Sequence, residues 1–342
     1  MDVLPTVWFI AIAALWIGFL LLEGFDFGVG MHLLFRARTE QERRVMLNAI
    51  GPVWDGNEVW LLTAGAAMFA AFPLWYASLF STLYVPLVLV LLGLIFRAVS
   101  IEYRGKGSGR RWTRAWDLAI GLGSLVAAFG LGAGLALTTT GLPIDANGDR
   151  VGGPFVWLTV PAVLGGLAVV GFALVQGATF LALKTEGEVR ERAGRDVVRF
   201  APVALVPIVG WVLLVQVQTG NLASWLLVGV AVVAAVFGWL AARRRREGRA
   251  FLGFSGFLVA GAASLFVAIY PVVLPSTVDA AFNLTVSNAS SSDYTLAVMS
   301  VVTGVALPVV LTYQAWSYWV FRKRIAVHHI PEPHEVVPAV RG

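Results

Sequence analysis

Residues 8–35 read WFIAIAALWIGFLLLEGFDFGVGMHLLF, an apolar run that carries two acidic residues, Glu23 and Asp26, near its end. About 20 consecutive apolar residues are enough for a helix to cross a membrane, so this run predicts a spanning helix. A carboxylate inside a bilayer is costly, and where one occurs it usually has a function. The stretch therefore indicates a membrane protein with chemistry at the end of its first span.

The composition of the whole chain indicates the same class. Its 342 residues are 58% hydrophobic and 13% charged, whereas roughly 25% of the residues in soluble domains are charged. The mean hydropathy is +0.79. The sequence contains no cysteine, which excludes disulfides, thiolate metal sites and thiol catalysis. We therefore predict an all-α polytopic membrane protein.

Apolar stretches long enough to span a bilayer recur along the chain. They predict nine transmembrane helices, at residues 5–35, 53–72, 77–98, 115–138, 154–183, 200–218, 223–242, 251–275 and 294–321. The first and fifth spans resemble each other, because both begin near a tryptophan and reach a polar residue followed by glycine, at Glu23 and Gln176. This weak similarity predicts a duplicated four-helix unit.

The predicted architecture is two pseudo-repeated four-helix bundles plus one C-terminal helix. The predicted parts are a first bundle at 1–138, a second at 154–275, the ninth transmembrane helix at 294–321 and a cytoplasmic tail at 322–342. Because the second copy has a glutamine where the first has acids, we expect the chemistry to lie in the first half.

The distribution of basic residues predicts the orientation. If the N-terminus lies outside, the inner segments are 36–52, 99–114, 184–199, 243–250 and 322–342. Arg97 then lies at the inner end of its span, and of the 25 Lys and Arg residues only Arg150 lies outside. Cytoplasmic loops of membrane proteins are enriched in basic residues. We therefore predict an outer N-terminus and a cytoplasmic C-terminus.

Two further acids, Asp55 and Glu58, repeat the spacing of three at the start of the second span. Residues three apart share one face of a helix. Since the first helix descends and the second climbs back, all four acids are expected in the inner half of the bilayer. Polar or aromatic residues expected at a similar depth are Trp54, Asn57, Arg97 and Asp117.

A cluster of four carboxylates cannot ionise fully in a low dielectric, so at least one is expected to hold a proton near neutral pH. That composition is typical of a proton relay. The alternative is that the acids are interfacial and hydrated, or paired with Arg97. The sequence leaves both interpretations open.

Haem ligands are scarce in the predicted spans. The histidines are His32, at the inner edge of the first span, and His328, His329 and His334 in the tail. No methionine is paired with an intramembrane histidine, so the chain alone is not expected to carry haem. The tail could bind a metal ion, although a flexible polar segment is the preferred interpretation. Nucleotide-binding motifs are absent, and the arginine run 243–246 is interpreted as a topology anchor rather than a nucleic-acid site.

Several motifs together resemble one known family. They are EGFDFGVGM, GPVWDGNEVW, FRAVSIEYR, YPVVLPSTVDAAFNLTVSNASSS and LPVVLTYQAWSYWVF, and their order covers nearly the whole chain. The sequence is similar to subunit II of the cytochrome bd-type quinol oxidases.

This resemblance implies a respiratory complex in the bacterial cell membrane that oxidises quinol on the outer side and reduces oxygen with cytoplasmic protons. It implies two b haems and one d haem in a companion subunit I, and none on this chain. The family is thought to conduct protons through carboxylates in its first two helices, and Glu23, Asp26 and Asp55 fall on the family's positions. Glu23 departs from the family pattern, which more often has Asp there.

Partners implied are subunit I, small accessory subunits, and bound lipid or quinone, with no nucleic acid. Two alternatives stay open from the residues alone. Duplicated bundles with polar groups near the midplane also describe secondary transporters. The chain could also be a structural scaffold whose acids are interfacial anchors.

Overall fold

The computed structural model describes residues 3–107, 109–326 and 330 of the chain, and most of these residues are helical. The helices are α1 Val3–Phe35, α2 Glu40–Ile50, α3 Trp54–Ala71, α4 Pro73–Thr82, α5 Tyr84–Tyr103, α6 Arg110–Thr140, α7 Val160–Lys184, α8 Gly187–Ala204, α9 Val206–Thr219, α10 Leu222–Arg243, α11 Glu247–Ile269 and α12 Asp293–Val320. Two short 3₁₀ helices, Arg104–Lys106 and Ala280–Phe282, and the antiparallel strands β1 Val272–Leu274 and β2 Leu284–Thr285 accompany them. The predicted all-α class is confirmed.

Helices α1 and α7 form the centre of the molecule. α1 contacts α3, α6, α7 and α11, and α7 contacts α6, α8, α9 and α11. The two central helices cross where Gly28 stands against the backbone carbonyl of Ala173, and a Cβ on Gly177 would lie 2.6 Å from the Gly28 backbone. Small residues let membrane helices approach this closely. The crossing positions the acidic end of α1 inside the protein.

Eight helical stretches in the described part of the chain are long and apolar enough to cross a membrane. They correspond to the predicted spans except 53–72. That segment is helical, as α3, but Asp55, Asn57 and Glu58 in its first turns lower its hydropathy. The chain is therefore a multi-pass membrane protein, while the count of nine spans stays a prediction.

Several predicted boundaries are wrong in detail. The span predicted at 77–98 is divided, because α4 ends before Leu83 and α5 begins at Tyr84. The span predicted at 154–183 begins only at Val160, and the span predicted at 251–275 ends at Ile269, before a strand. Continuous apolar sequence does not reveal such breaks, because every residue around them is compatible with lipid.

The segment predicted at 200–218 is also divided. α8 starts at Gly187, within a stretch expected to be a loop, and ends at Ala204. α9 begins at Val206, so Leu205 separates the two helices. Pro202 removes a backbone donor inside α8, and Pro207 lies in the first turn of α9, where its fixed φ is favourable. The expected loop 36–52 likewise contains α2, which Thr39 caps by accepting a bond from the Glu42 backbone N–H.

The segments predicted to lie inside gather at one end of the molecule. Arg192 bonds the Glu42 carboxylate at 2.9 Å, Arg104 bonds Glu40 at 2.8 Å, and the Ile325 N–H donates to the Lys184 carbonyl at 2.8 Å. We call this end, with residues 36–43, 104–106, 184–196, 243–247 and 322–326, the basic end. The predicted tail beyond Ala326 lies outside the described residues, except for Ile330.

The predicted outer loops meet at the opposite end. The Leu142 N–H donates to the Pro275 carbonyl at 3.0 Å, and the Ser291 N–H donates to the Ala71 carbonyl at 2.8 Å. The division into two repeated bundles stays a prediction.

Candidate functional site

Three acids and one arginine meet between α1, α3 and α5. Glu23 and Asp26 from α1 and Arg97 from α5 are fully buried, and the side chain of Glu58 from α3 is 21% exposed. The Arg97 guanidinium lies 2.6 Å from Glu23 and also forms an ion pair with Glu58. We call Glu23, Asp26, Glu58 and Arg97 the acid cluster.

Asp26 has a different partner. The side-chain amide of Asn57, one residue before Glu58 on α3, donates to Asp26 Oδ2 at 2.6 Å. The oxygen of the same amide accepts bonds from Gln314 Nε2 at 3.0 Å and from the Tyr318 hydroxyl at 2.9 Å. Both donors come from α12, four residues apart on one face. Asn57 thus joins the first, second and last predicted spans.

The surroundings of Arg97 are apolar and aromatic. Its guanidinium carbon lies 5.1 Å from the centre of the Phe27 ring and 6.0 Å from that of the Trp54 ring. Aromatic faces attract a cation, and the attraction is stronger away from water. One buried arginine balances one negative charge, whereas the acid cluster contains three carboxyl groups. Full ionisation would leave two uncompensated charges in low dielectric, so the cluster favours bound protons.

Some carboxyl oxygen atoms of the acid cluster have no hydrogen-bond partner. In the described part of the chain, Asp26 Oδ1 and Glu23 Oε2 have no hydrogen-bond partner, and neither do two of the Arg97 nitrogens. A carboxyl oxygen without a donor can take up a proton without breaking an existing bond. For Asp26, the bond from Asn57 to the other oxygen would hold the carboxyl group in place during such a change.

Asp55 lies outside this cluster. It is exposed in the first turn of α3, and Arg97 pairs with Glu23 and Glu58 instead of with it. The pairing with Arg97 that was considered for the acids is therefore found for Glu23 and Glu58 and not for Asp55. Exposure falls in order from Asp55 to Glu58 to Glu23, so the acids form a gradient from solvent or interface into the protein interior.

Asp117 also belongs elsewhere. Its carboxylate bonds Arg104 at 2.5 Å and lies 3.3 Å from Arg43, and Arg104 in turn holds Glu40. This is an ion-pair group at the basic end. Depth alone suggested Asp117 as a neighbour of the acids, but depth does not say on which side of the bundle a residue lies.

Another ion-pair group at the basic end joins α2 to α8. Arg192 donates to both oxygens of Glu42 at 2.9 Å, while Arg36 pairs with Asp196. The pKa of Glu42 lies below its ordinary value of 4.5. The main cause is the hydrogen bonds from the Arg192 side chain, and burial acts in the opposite direction. Backbone hydrogen bonds from Arg38 and Thr39 lower the pKa further. These charges fix the ends of helices and do not reach the acid cluster.

The described residues contain no group of three or more acidic, cysteine or histidine side chains that could hold a metal ion. His32 Nε2 lies 2.8 Å from the backbone carbonyl of Leu174, a partner that fixes the ring between α1 and α7. His328, His329 and His334, and so the tail considered as a metal site, lie outside the described residues.

Gln314 and Tyr318 were not predicted from the sequence. Two polar side chains at a spacing of four within an otherwise apolar span are a usable signal, since they mark one polar face. Their partner, however, lies 257 and 261 residues earlier in the chain. A single sequence offers no signal for that pairing.

Known proteins similar to this chain were found at the levels of family, sequence and structure. The family described as cytochrome bd terminal oxidase subunit II matches residues 4–321. The cytochrome bd ubiquinol oxidase subunit 2 of Bacillus subtilis (strain 168) is 40% identical over 331 residues, which cover 95% of this chain and 98% of the relative. The cytochrome bd-I ubiquinol oxidase subunit 2 of Escherichia coli (strain K12) is 34% identical over 367 residues, with 96% and 97% covered.

A solved structure matches the fold. A chain of the bd oxidase from Geobacillus thermodenitrificans superposes with a TM-score of 0.77, over 93% of this chain and 98% of that chain. The sequence identity in this match is 19%, so it establishes the fold alone.

Proposed function

Because this chain belongs to the cytochrome bd terminal oxidase subunit II family, and is thus a subunit of an oxygen-reducing quinol oxidase, we propose that its own part is to conduct protons through the acid cluster. The family implies haems in a partner subunit, and oxygen reduction there consumes protons. Family membership confirms the resemblance inferred from the motifs and favours the oxidase over the transporter alternative.

The observation that carries the proposal is the burial of Glu23 and Asp26 beside a single arginine. Intramembrane carboxyl groups arranged in series are the usual composition of a proton relay. In the proposed order, a proton is taken up near the exposed Asp55, passes to the half-buried Glu58, and reaches Glu23 and Asp26. Arg97 keeps the number of protons held by the cluster small, because it stabilises one carboxylate.

The redox groups belong to the partner in this proposal. Two b haems and one d haem are assigned to subunit I, and the present chain supplies none of their ligands. The haems supply electrons and bind oxygen. The residues described here hold and move protons, and they orient the carboxyl groups through Asn57, Gln314 and Tyr318.

The proposed orientation has the N-terminus outside and the basic end in the cytoplasm. Support comes from the gathering of the arginine-bearing segments at one end, while Arg150 lies in the loop at the other. With this orientation, Asp55 and Glu58 lie on the cytoplasmic side, where protons for oxygen reduction are taken up.

A partner and apolar ligands are proposed for the lipid-facing surface. α12 is almost entirely exposed, with residues such as Val305, Trp316 and Trp319 on its surface. We assign subunit I to a face of this kind, together with small accessory subunits. A groove of about 900 Å³ between α3, α4, α5 and α6 is lined mainly by apolar side chains and suits the tail of a lipid or quinone.

The test is Asp26→Asn in the complete oxidase. Asparagine keeps the shape and an acceptor oxygen but cannot release a proton. We expect normal haem content and a loss of quinol-driven oxygen uptake of about tenfold or more, on the scale of general acid–base effects. Asp55→Asn should lower uptake less, because water can replace a group at an exposed position. Glu186→Gln, an exposed acid before α8, serves as the control.

The turnover for each haem separates the proposal from a scaffold role. If the acids only stabilise the bundle, haem content and activity fall together, and turnover for each haem stays at the wild-type value. Normal turnover for each haem in Asp26→Asn would overturn proton conduction through the acid cluster, while leaving the family assignment untouched.

A further inference from the structure

A cavity of about 390 Å³ opens at the basic end, between α7, α8, α10 and α11. It is formed where α7 and α10 end and where α8 and α11 begin. All four helices lie within apolar spanning stretches, so the cavity is located at the boundary between membrane and water. We call it the arginine cavity.

The lining of the arginine cavity is positively charged. Its charged residues are Arg190, Arg195, Arg243, Arg245, Glu191 and Glu247. Four positive and two negative charges leave an excess of two positive charges. Since like charges repel, such a lining is stable with an anion between the arginines, and guanidinium groups suit the oxygens of a phosphate in particular.

Two of the arginines are engaged by carboxylates and two are not. Arg190 bonds Glu247 at 2.6 Å, and Arg195 lies 3.5 Å from Glu191. For Arg243 and Arg245, no carboxylate of the described residues lies within the 4.0 Å of an ion pair. Their charges are therefore available to an anion that enters the cavity.

The backbone of Arg245 has an uncommon conformation. Its φ is 54°, in the left-handed region that non-glycine residues rarely adopt. The neighbouring N–H groups of Arg244 and Arg246 are bonded to carbonyls at the end of α10, so the turn is fixed on both sides. Glycine or asparagine would adopt this conformation at lower cost. An arginine there is consistent with use of its side chain.

The wall of the cavity also has an apolar part, formed by Val197, Val198, Ala242 and Ala250. Trp239 lies one turn before Arg243, its ring 4.9 Å from the guanidinium carbon, and its indole N–H donates to the Val198 carbonyl at 3.0 Å. Tryptophan at this depth is typical of the headgroup region. Cationic and apolar walls side by side match a molecule with a phosphate and an acyl chain.

We propose that the arginine cavity binds the phosphate of an anionic phospholipid, held by Arg243 and Arg245. Basic pockets between membrane helices at the cytoplasmic side are suited to such headgroups. A soluble phosphate shares the anionic chemistry but makes no use of the apolar wall. The bound lipid would connect α8 to the α10–α11 turn.

The test uses the intact oxidase in nanodiscs of phosphatidylcholine mixed with phosphatidylglycerol, with bound lipids counted by native mass spectrometry. We expect the wild-type complex to retain phosphatidylglycerol selectively. The double variant Arg243→Gln/Arg245→Gln should lower that selectivity about 25-fold, since each cationic side chain near the surface contributes about fivefold and the two contributions multiply. The matched control is Arg244→Gln/Arg246→Gln, which changes the same charge in the same turn outside the cavity lining.

Three results would overturn the proposal. They are a wild-type complex with no preference for phosphatidylglycerol, an equal loss in the control pair, and displacement of the lipid by inorganic phosphate alone. The first is measured without any variant, so the proposal can fail even where a variant does not assemble. The last would assign the cavity to a soluble phosphate.

Discussion

At the scale of single residues, Arg97 determines how many charges the acid cluster can hold. It is fully buried, it pairs with Glu23 and Glu58, and its guanidinium carbon lies 5.1 Å from the Phe27 ring centre. Removing one partner of a buried ion pair leaves the other charge without compensation in low dielectric. The residue is thus both a structural and an electrostatic element of the site.

We expect Arg97→Gln to destabilise the subunit by about 3–5 kcal/mol, the usual cost of breaking a buried pair. The double variant Arg97→Gln/Glu23→Gln should recover part of this loss, because it also removes one of the two carboxyl groups that lose Arg97 as a partner. Thermal loss of the haem spectrum from the purified complex measures both. Arg111→Gln, at an exposed arginine in the first turn of α6, should have no effect. A double variant no more stable than the single one would contradict the pairing.

Most residues of the acid cluster could be predicted from the sequence, but their partners could not. Acids in an apolar run stand out by composition, so a cluster of four acids was predicted, at Glu23, Asp26, Asp55 and Glu58. In the structure Glu23 and Glu58 pair with Arg97. Asp26 accepts a bond from Asn57, and Asp55 lies outside the acid cluster. Asp117 was grouped with them by depth alone and pairs with Arg104 instead. The depth of a residue in the membrane follows from its position along the chain. The side of the bundle on which the residue lies depends on how the helices pack.

At the scale of helices, the close crossing of α1 and α7 holds the acidic end of α1 in the interior. Gly28 and Gly177 face each other there, and a Cβ on either would meet backbone atoms of the other helix. Backbone atoms cannot move aside as a flexible side chain can. The crossing therefore depends on the absence of side chains at these positions.

Gly28→Ala should separate the two helices and prevent normal assembly. The added methyl group would collide with the Ala173 carbonyl, and overpacking of this kind typically costs 1–3 kcal/mol or more. The yield of haem-containing complex from membranes measures the effect. Gly229→Ala on α10 is the matched control, because nothing lies within 4 Å of its added Cβ. Normal yield from Gly28→Ala would contradict the tight crossing.

The short helix α2 is attached to α8 by a pH-dependent contact. The pKa of Glu42 is lowered in the folded protein by hydrogen bonds from Arg192, so the ionised form stabilises the fold. This contribution is present above the ordinary pKa of 4.5 and is lost as the pH falls below it. We expect the wild-type thermal stability to decline below about pH 4.5 more steeply than that of Glu42→Gln.

The Glu42→Gln variant should in turn be less stable than wild type at neutral pH, where the wild-type carboxylate is ionised. Melting of the solubilised complex between pH 3 and pH 7 measures both differences. Glu186→Gln should follow the wild-type curve. Parallel curves for wild type and Glu42→Gln would show that the contact with Arg192 does not contribute.

The sequence predicted which segments are helical better than it predicted where each helix begins and ends. The breaks at Leu83 and Leu205 fall inside apolar stretches, so hydropathy is continuous across them. Pro202 and Pro207 offered a local signal for the second break. Pro86 offered a similar signal for the first break, because it lies in the first turn of α5, where its missing backbone N–H costs no helix bond.

At the scale of the whole molecule, charge is separated between the two ends. Arginine-bearing segments meet at the basic end through pairs such as Arg192 with Glu42 and Arg190 with Glu247. The opposite end is made of polar loops joined by backbone bonds. Since basic loops favour the cytoplasm, this separation is the physical basis of the proposed orientation.

A reporter fused at Gly342 should be active only as a cytoplasmic reporter, and one inserted in the loop at 145–149 only as a periplasmic reporter. The physical reason is that, with the N-terminus outside, Arg150 alone of the 25 Lys and Arg residues falls outside the segments predicted to be on the inner side. Alkaline phosphatase and green fluorescent protein fusions give the two readouts. A periplasmic signal at Gly342 would reverse the orientation and place Asp55 on the wrong side for proton uptake.

The polar contact between α3 and α12 also sets an order of biogenesis. Gln314 and Tyr318 reach Asn57 across 257 and 261 residues, so the ribosome has nearly finished the chain before these two side chains exist. At synthesis rates of about 5–20 residues per second, Asn57 waits roughly 13–50 s in the membrane without them. Until then the amide that orients Asp26 lacks both of its α12 donors. A nascent chain that ends before α12 therefore has Asn57 bound to Asp26 without the two contacts that fix the Asn57 oxygen.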